Sequence, residues 1–213
     1  IGLRYGNKMC GSFGQVSTLS FYPNKHITTG EGGMILTDDA DIARRCQSLR
    51  NLCFGESNRF EHHQLGWNYR MSNLQAAVGV AQLERLEQHL VRKREIGCYY
   101  NATFGDLPGV QLPSDAVGNN KNCYWIYGMV LERDHPLDRD TAMRQLVEEG
   151  IGSRPFFWPM HEQPVLKEMG YFAHGEYPVA EHIGRRGFYI PSGLSLVDDQ
   201  LKWVGETVLS VLE

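Results

Sequence analysis

The N-terminal half of the chain alternates between short strand-like runs and segments with a helical period. Two β-prone runs, residues 16–22 and 34–37, bracket a loop rich in glycine. The next segment, residues 38–49, begins with acidic residues and has arginines towards its end, as the helix dipole favours. Residues 51–65 show no sustained period, so we predict a surface loop there.

A long amphipathic helix is predicted from residue 72 towards residue 100. Ser72 and Gln75 have the spacing of a capping box, in which each side chain bonds the backbone N–H of the other residue. Apolar residues then recur at steps of three and four, with charged residues on the opposite face. We interpret this helix as a connector between two domains.

The C-terminal half contains apolar runs separated by helical segments. The predicted elements are strands 123–131, 151–157 and 188–191, and helices 138–150, 165–169 and 179–186. A last amphipathic helix is predicted with Ser195 as its cap. Strands that alternate with helices in this way indicate a small α+β layer.

Composition and charge exclude several classes of protein. The chain has 213 residues, of which 42% are hydrophobic and 22% are charged, and this suits one large or two small globular domains. A net charge of −4 without a basic stripe argues against nucleic acid as a partner. Apolar runs stay short of the roughly 20 residues of a membrane helix, so we expect a cytoplasmic protein without a membrane partner.

The spacing of cysteine and histidine predicts neither disulfides nor a metal site. The five cysteines are far apart and form no CxxC pair. His62 and His63 are adjacent, so a helix or a strand would direct them apart, and no third ligand stands at a helical spacing. We therefore predict reduced thiols and no metal.

The loop between the first two strands holds the candidate for covalent chemistry. Lys25 follows Pro23 and Asn24 and precedes the run TTGEGG at residues 28–33. Lysine forms an imine with an aldehyde or ketone, and removal from water lowers its pKa and makes the free amine available. A lysine beside Pro and Asn is also typical of a solvated turn, and clustered glycines are typical of tight turns. Local chemistry leaves both interpretations open.

Three motifs carry a resemblance that covers nearly the whole chain. They are SFYPNK followed by TTGEGG, then GWNYRMSNLQAA, then RPFFWPMH. Together they resemble the DegT/DnrJ/EryC1/StrS family of sugar aminotransferases, and the last is similar to its perosamine-synthase branch. The resemblance implies that Lys25 carries pyridoxal 5'-phosphate covalently and that Ser20 binds the phosphate of this cofactor. Relatives that act as dehydratases have histidine in place of the lysine, so the retained lysine favours transamination.

The resemblance also implies roles for four residues outside the lysine loop. Asn68 would reach the phosphate of the neighbouring subunit's cofactor, with Arg70 beside it, and amide and guanidinium groups suit a phosphate dianion. Arg154 and His161 are candidate contacts to a nucleotide-linked sugar. On the residues alone, Asn68 and Arg70 also suit a polar turn, and the Pro-rich aromatic segment from Arg154 suits a packed corner.

The fold implied by the resemblance is α/β, a pyridoxal-phosphate-dependent transferase of fold type I. Residues 1–91 are expected to form the C-terminal part of its large, cofactor-binding domain with the start of the connector helix. Residues 92–213 are expected to form the end of that helix and a small α+β domain. By the same alignment the chain lacks the family's N-terminal half, including the aspartate that pairs with the pyridine nitrogen. We therefore expect the isolated chain to be inactive or nearly so.

The implied function is transfer of an amino group from glutamate to a nucleotide-linked 4-keto-6-deoxy sugar, in a homodimer with shared active sites. Two other functions stay open at this point. One is a non-catalytic dimerising module of the same family, and the other is a sugar dehydratase or lyase on the same scaffold. His26, directly after the lysine, departs from the Thr or Pro of the family pattern.

Overall fold

A computed structural model describes this chain over residues 1–55, 58–172 and 175–213. The chain forms two compact units, which are best described one at a time. They are a first unit of Ile1–Leu90 with Gly118–Lys121, and a second unit of Val91–Val117 with Asn122–Glu213.

The described residues form short strands and helices, and the longest helix has 19 residues. In chain order they are β1 (Arg4–Tyr5), β2 (Lys8–Met9), β3 (Ser17–Ser20), β4 (Gly33–Leu36), α1 (Ala40–Arg50), α2 (Asn73–Leu83), α3 (Leu86–Phe104), β5 (Val110–Gln111), β6 (Ala116–Val117), β7 (Asn120–Lys121), β8 (Tyr127–Leu131), α4 (Arg139–Glu148), β9 (Arg154–Pro155), a 3-10 turn (Met160–Glu162), α5 (Pro164–Glu168), α6 (Pro178–Arg186), β10 (Gly187–Ile190) and α7 (Asp198–Leu212).

The first unit is organised around an antiparallel hairpin of β3 and β4. Ser17 pairs with Leu36 and Ser20 pairs with Gly33, so the loop that contains Lys25 closes one end of the hairpin. Both strands expected from the sequence are present, with ends within two residues of the predicted ones.

Two helices of the first unit begin at side-chain caps, one within the predicted acidic start of a helix and one at the predicted capping box. Asp39 precedes α1, and its carboxylate accepts hydrogen bonds from two backbone N–H groups of the first turn. Ser72 and Gln75 form the expected capping box at the start of α2. The predicted loop 51–65 contains no helix or strand in its described part, and its residues 56 and 57 lie outside the described residues.

The single long helix predicted from residue 72 towards residue 100 is wrong, because the segment forms two helices. α2 ends at Leu83 and α3 begins at Leu86. Between them the N–H of Arg85 donates to the carbonyl of Gln82, three residues back, which tightens the chain into a turn. Neither glycine nor proline stands at this break, so the residue pattern carries no signal for it.

The second unit contains an antiparallel sheet in the order β5-β8-β10-β9. The central strands are β8 and β10, with Met129 opposite Phe188 and Tyr127 opposite Ile190. One core of apolar and aromatic side chains lies between this sheet and its helices. Its members include Ile96, Tyr100, Phe104, Tyr124, Tyr127, Met129, Leu131, Leu146, Ile151, Phe188, Ile190, Leu201 and Val208. This arrangement agrees with the predicted α+β layer.

Two strands of the second unit are shorter than predicted. The strand expected over 123–131 is confined to β8, because Tyr124 has a positive φ of 47° and its N–H is held by the side chain of Asn122. The strand expected over 151–157 is confined to β9, where Pro155 has no N–H to donate to a sheet.

In the second unit, one helix begins where the sequence predicts it and the last helix begins later than predicted. The sequence offers Asp138 or Asp140 as the cap of α4, and the structure has Asp138, whose carboxylate accepts the N–H of Thr141 at 2.7 Å. The last helix begins at Asp198 rather than after Ser195, because the side chain of Gln200 reaches back to the N–H of Val197 at 3.2 Å. Within the described residues, the helices are all too short or too polar to cross a bilayer.

Candidate active site

The backbone around Lys25 forms a tight turn at the end of β3. The N–H of Lys25 donates to the carbonyl of Tyr22 at 2.9 Å. The N–H of Tyr22 in turn donates to the hydroxyl of Ser20 at 3.4 Å. Ser20 and Lys25 therefore stand at the two ends of one hydrogen-bonded turn.

The side chain of Lys25 is half-buried, although its neighbours on the N-terminal side are exposed. Removal of the ammonium from water lowers the pKa of Lys25 below its ordinary value. The lowered pKa increases the fraction of neutral amine at a given pH, and only the neutral amine attacks a carbonyl.

The segment after Lys25 is fastened to the hairpin by backbone bonds. The carbonyl of Phe21 accepts two hydrogen bonds, from the N–H of Thr29 at 3.1 Å and from the hydroxyl of Thr28 at 2.8 Å. Ile27 is 1% exposed and anchors the loop by burial. Gly30 has a φ of 79°, a left-handed conformation that glycine adopts without strain, so the glycine lets the chain return to β4.

Helix α2 holds the same loop from outside the hairpin. The side-chain oxygen of Gln82 accepts the N–H of Thr28 at 2.9 Å, and the side-chain nitrogen of Gln75 donates to the carbonyl of Glu31 at 3.2 Å. The two glutamines are seven residues apart, about two helical turns, and so lie on one face of the helix. The sequence indicates Gln75 as part of the cap, but it carries no motif that pairs Gln82 with Thr28, 54 residues away.

His26 is a packing residue of the loop. Its side chain is buried, and its Nε2 lies 2.9 Å from the carbonyl of Ile1. The Nδ1 of His89 donates to the carbonyl of His26 at 2.9 Å. The unusual residue after the lysine therefore binds the loop to two other segments of the first unit.

Asn68 and Arg70 lie together on the segment that leads into α2. The Nε of Arg70 donates to the side-chain oxygen of Asn68 at 2.9 Å, and both residues are exposed. Asn68 also forms an isolated bridge with Asn51, which fixes the backbone at this point. Because the amide oxygen is engaged by Arg70, the amide nitrogen is the part of Asn68 suited to bind an anion.

Arg154 and His161 lie in the second unit. Arg154 is exposed on β9, where it pairs with Tyr189 of β10. His161 lies in the 3-10 turn, with its Nε2 at 3.2 Å from Oε1 of Glu181. The hydrogen bond from His161 lowers the pKa of the Glu181 carboxyl below its ordinary value. The sequence carries no signal for this pair, because its partners are far apart along the chain.

The groups in the first unit fit pyridoxal phosphate chemically. Lys25 offers a partly desolvated amine to the aldehyde. The hydroxyl of Ser20, the amide of Asn68 and the guanidinium of Arg70 are donors that suit the phosphate. The structure joins Ser20 to Lys25 through one turn and Asn68 to Arg70 through one hydrogen bond. Binding of the cofactor by these particular residues stays a prediction.

A hairpin that presents a lysine loop, a helix that holds this loop, and an α+β unit define part of an α/β transferase that depends on pyridoxal phosphate. The profile of the DegT/DnrJ/EryC1/StrS aminotransferase family matches residues 1–209, and the chain belongs to this family. Aminotransferases of the family use pyridoxal phosphate.

Individual relatives agree with this assignment. The chain is 37% identical to the GDP-perosamine synthase of Vibrio cholerae over 95% of this chain and 54% of that protein. It is 35% identical to the GDP-perosamine synthase of Escherichia coli O157:H7 over 97% of this chain and 54% of that protein. Its structure is similar to that of a DegT DnrJ EryC1 StrS aminotransferase from Brucella abortus, with a TM-score of 0.81, 29% identity, and coverage of 97% of this chain and 53% of that one. The chain thus spans about half the length of the relatives that it matches.

Proposed function

We propose that this chain carries the catalytic lysine of a nucleotide-sugar aminotransferase that acts in the cytoplasm. The observation that carries the proposal is Lys25, a half-buried residue whose amine has a lowered pKa, in a loop held by hydrogen bonds on both sides. Membership of a family of sugar aminotransferases supports it.

Lys25 has two tasks in the proposed reaction. Its amine holds the cofactor when substrate is absent, and it then moves the proton between the substrate's carbon and the cofactor. When bound, pyridoxal phosphate supplies an electron sink for the charge that develops at that carbon. Both tasks need a share of neutral amine, and desolvation of Lys25 provides it.

Ser20, Asn68 and Arg70 bind the phosphate in this proposal. A hydroxyl, an amide nitrogen and a guanidinium together donate several hydrogen bonds and one positive charge to a dianion. Arg70 has a second task, since its bond to the oxygen of Asn68 orients the amide.

The proposed substrates are glutamate, which donates the amino group, and a nucleotide-linked 4-keto-6-deoxy sugar, which receives it. The names of two relatives, both GDP-perosamine synthases, support a GDP-linked sugar. Arg154 and His161 are the proposed contacts to this substrate. The exposed guanidinium of Arg154 suits the diphosphate of a nucleotide sugar, because it offers paired donors to phosphate oxygens.

A product assay tests the proposal. The protein, expressed from its complete gene so that any residues outside residues 1–213 are included, is incubated with pyridoxal phosphate, glutamate and GDP-linked 4-keto-6-deoxymannose. We expect an amino sugar and 2-oxoglutarate in equal amounts. A deoxy sugar without an amino group would instead indicate a dehydratase or lyase, and no product with any nucleotide sugar would favour a non-catalytic module.

Matched lysine variants make the assay specific to the loop. K25A removes the amine that moves the proton, so we expect the rate to fall by about 10²–10⁴-fold. K121A removes an exposed lysine of the same unit and is expected to keep the wild-type rate. Equal rates for K25A and K121A would contradict the assignment of Lys25.

We also propose a homodimer in which Asn68 and Arg70 serve the neighbouring subunit's cofactor. Co-expression of K25A with the double variant N68A/R70A tests this arrangement. Random pairing produces mixed dimers in about half of the molecules, each with one intact site, so about a quarter of the wild-type activity is expected to return. Activity no higher than that of either variant alone would show that the sites are not shared.

A further inference from the structure

Three side chains that bind metals elsewhere in proteins lie together in the second unit. His161 and Glu162 belong to the 3-10 turn, and Glu181 belongs to α6. One ligand atom from each of the three lies within 4.8 Å of the others. Their side chains are only partly accessible, at 12% for His161, 14% for Glu162 and 32% for Glu181.

Arg185 forms an ion pair with one carboxylate oxygen of Glu162 and one of Glu181, and the second oxygen of each carboxylate does not face Arg185. Its Nη2 donates to Oε1 of Glu162 at 2.5 Å, and its Nη1 lies 3.7 Å from Oε2 of Glu181. The remaining oxygen of Glu181, Oε1, faces Nε2 of His161 at 3.2 Å and also accepts the N–H of Tyr177 at 3.4 Å. The remaining oxygen of Glu162, Oε2, is buried and has no hydrogen-bond donor among the described residues.

This cluster contains more negative charge than its own cation neutralises. Two carboxylates face one guanidinium, and a buried carboxylate oxygen without a donor costs free energy. A second cation between Glu162 and Glu181 would remove this cost, provided that it reaches the two oxygens that Arg185 leaves.

We propose that His161, Glu162 and Glu181 bind a divalent transition metal ion, with Zn²⁺ as the best match. Zinc is bound by histidine nitrogen at about 2.0–2.1 Å and by carboxylate oxygen at about 2.0–2.2 Å, usually in a tetrahedron. Two ligands of such a tetrahedron are roughly 3.3 Å apart. The 3.2 Å between Nε2 of His161 and Oε1 of Glu181 is close to this separation, so the ion takes the place of the proton that these atoms share.

The metal would tie the 3-10 turn to α6 through side chains from both. Three protein ligands leave a fourth position for water, as in zinc sites that stay open to solvent. While the metal is bound, Nε2 of His161 is unavailable to a sugar, so in the metal-bound protein Arg154 is the remaining proposed substrate contact. The expectation of no metal rested on the spacing of His62 and His63, and the three residues of this cluster lie elsewhere in the chain.

Metal titration of the untagged protein tests the inference. We expect calorimetry with ZnCl₂ to report one equivalent bound per chain. Co²⁺ in the same site is expected to produce the intense visible absorption of a tetrahedral ion, which octahedral surface binding does not produce. Absence of a stoichiometric site for Zn²⁺ and for Co²⁺ would overturn the proposal and leave an ion-pair cluster.

Single variants locate the site. H161Q, E162Q and E181Q each remove one ligand and are expected to weaken Zn²⁺ binding by about 100-fold or more. H182Q removes the histidine next to Glu181 on the same helix and is expected to leave the affinity unchanged. R185Q removes the competing cation and is expected to tighten binding several-fold.

Melting curves without metal verify that each variant is folded. Full Zn²⁺ affinity in both E162Q and E181Q would place the metal elsewhere and refute the proposal.

Discussion

At the scale of single residues, the environment of Lys25 bears on its proposed reactivity. The loop removes the amine partly from water, and this removal lowers its pKa. A lysine fully surrounded by water would be almost entirely protonated at neutral pH. The lowered pKa supports the proposal of a covalent anchor over a solvated turn, the two interpretations that the sequence left open.

A second lysine, Lys93, shows a stronger effect of burial in the core of the second unit. Its Nζ donates to the carbonyl of Ser192 at 2.5 Å, and the residue is 4% exposed. The hydroxyl of Ser192 accepts the N–H of Tyr127 at 3.2 Å, and the hydroxyl of Tyr100 donates to Pro191 at 2.8 Å. These bonds link α3 to the segment after β10. Desolvation lowers the pKa of Lys93 to about 8.

The substitution K93M is expected to change how stability depends on pH. Between pH 8 and the unfolded pKa of about 10.4, the unfolded chain binds a proton that the folded chain has lost, so wild-type stability rises with pH. The rise amounts to roughly 3 kcal/mol over this window. Methionine does not titrate, so K93M should lack the rise.

Urea unfolding between pH 7 and pH 10 measures this difference. The exposed lysine variant K121M serves as control and is expected to follow the wild type. Burial raises the pKa of the core tyrosines Tyr100, Tyr124 and Tyr127, so near the upper limit they ionise in the unfolded chain and not in the folded one. This lowers stability in both proteins, so the quantity to compare is the difference between K93M and wild type. Parallel curves for the two proteins would show that Lys93 is not desolvated.

At the scale of elements, helix α2 determines the position of the lysine loop. Gln75 and Gln82 bind the loop on either side of Gly30, so the helix and the hairpin fix the same segment. The capping box at Ser72 fixes where the helix begins, and this start sets the positions of both glutamines along the helix. A side-chain pattern that serves a cap therefore also positions a candidate catalytic residue.

The variant Q82A is expected to loosen the loop. It removes the acceptor of the Thr28 N–H and should cost about 1–2 kcal/mol of stability. Hydrogen exchange of the peptide that contains Thr28 is expected to become faster. Q88A, an exposed glutamine of α3, is the matched control and should stay within about 0.5 kcal/mol of wild type. Unchanged exchange at Thr28 in Q82A would contradict the role of Gln82.

Helix α3 needs a glycine where it packs on Tyr124. A Cβ at Gly97 would lie 2.3 Å from the ring of Tyr124, which is 2% exposed and has little space to move. Alanine in a helix interior gains about 1 kcal/mol over glycine by propensity, so packing and propensity oppose each other here.

We expect packing to dominate in the variant G97A, with a net loss of about 1–3 kcal/mol. G152A is the control, because a Cβ at Gly152 meets no atom within 4 Å. Thermal or urea unfolding compares the two. A stabilised G97A would show that the ring of Tyr124 yields at little cost.

At the scale of the whole molecule, the sequence predicts what depends on local pattern. The hairpin of β3 and β4 and the caps Asp39 and Ser72 follow from short-range chemistry, and the family follows from motifs that are contiguous in sequence. The break after Leu83 could not be predicted, because the residues there are compatible with a continuous helix.

Pairings over long sequence separation were also beyond prediction. The contacts of Gln82 with Thr28 and of Glu181 with His161 depend on how the elements pack, and neither has a sequence motif. The contact of Gln82 holds the lysine loop, and the contact of Glu181 belongs to the proposed metal cluster. Both candidate sites therefore depend on contacts that the sequence does not reveal.

The central claim is that Lys25 is the covalent anchor for pyridoxal phosphate, and reductive trapping tests it most directly. The protein is incubated with the cofactor, reduced with borohydride and digested, and the modified lysine is identified by mass spectrometry. We predict one dominant modification on Lys25, which persists in K121A and is lost in K25A. Modification spread over exposed lysines, with Lys25 unmodified, would contradict the account.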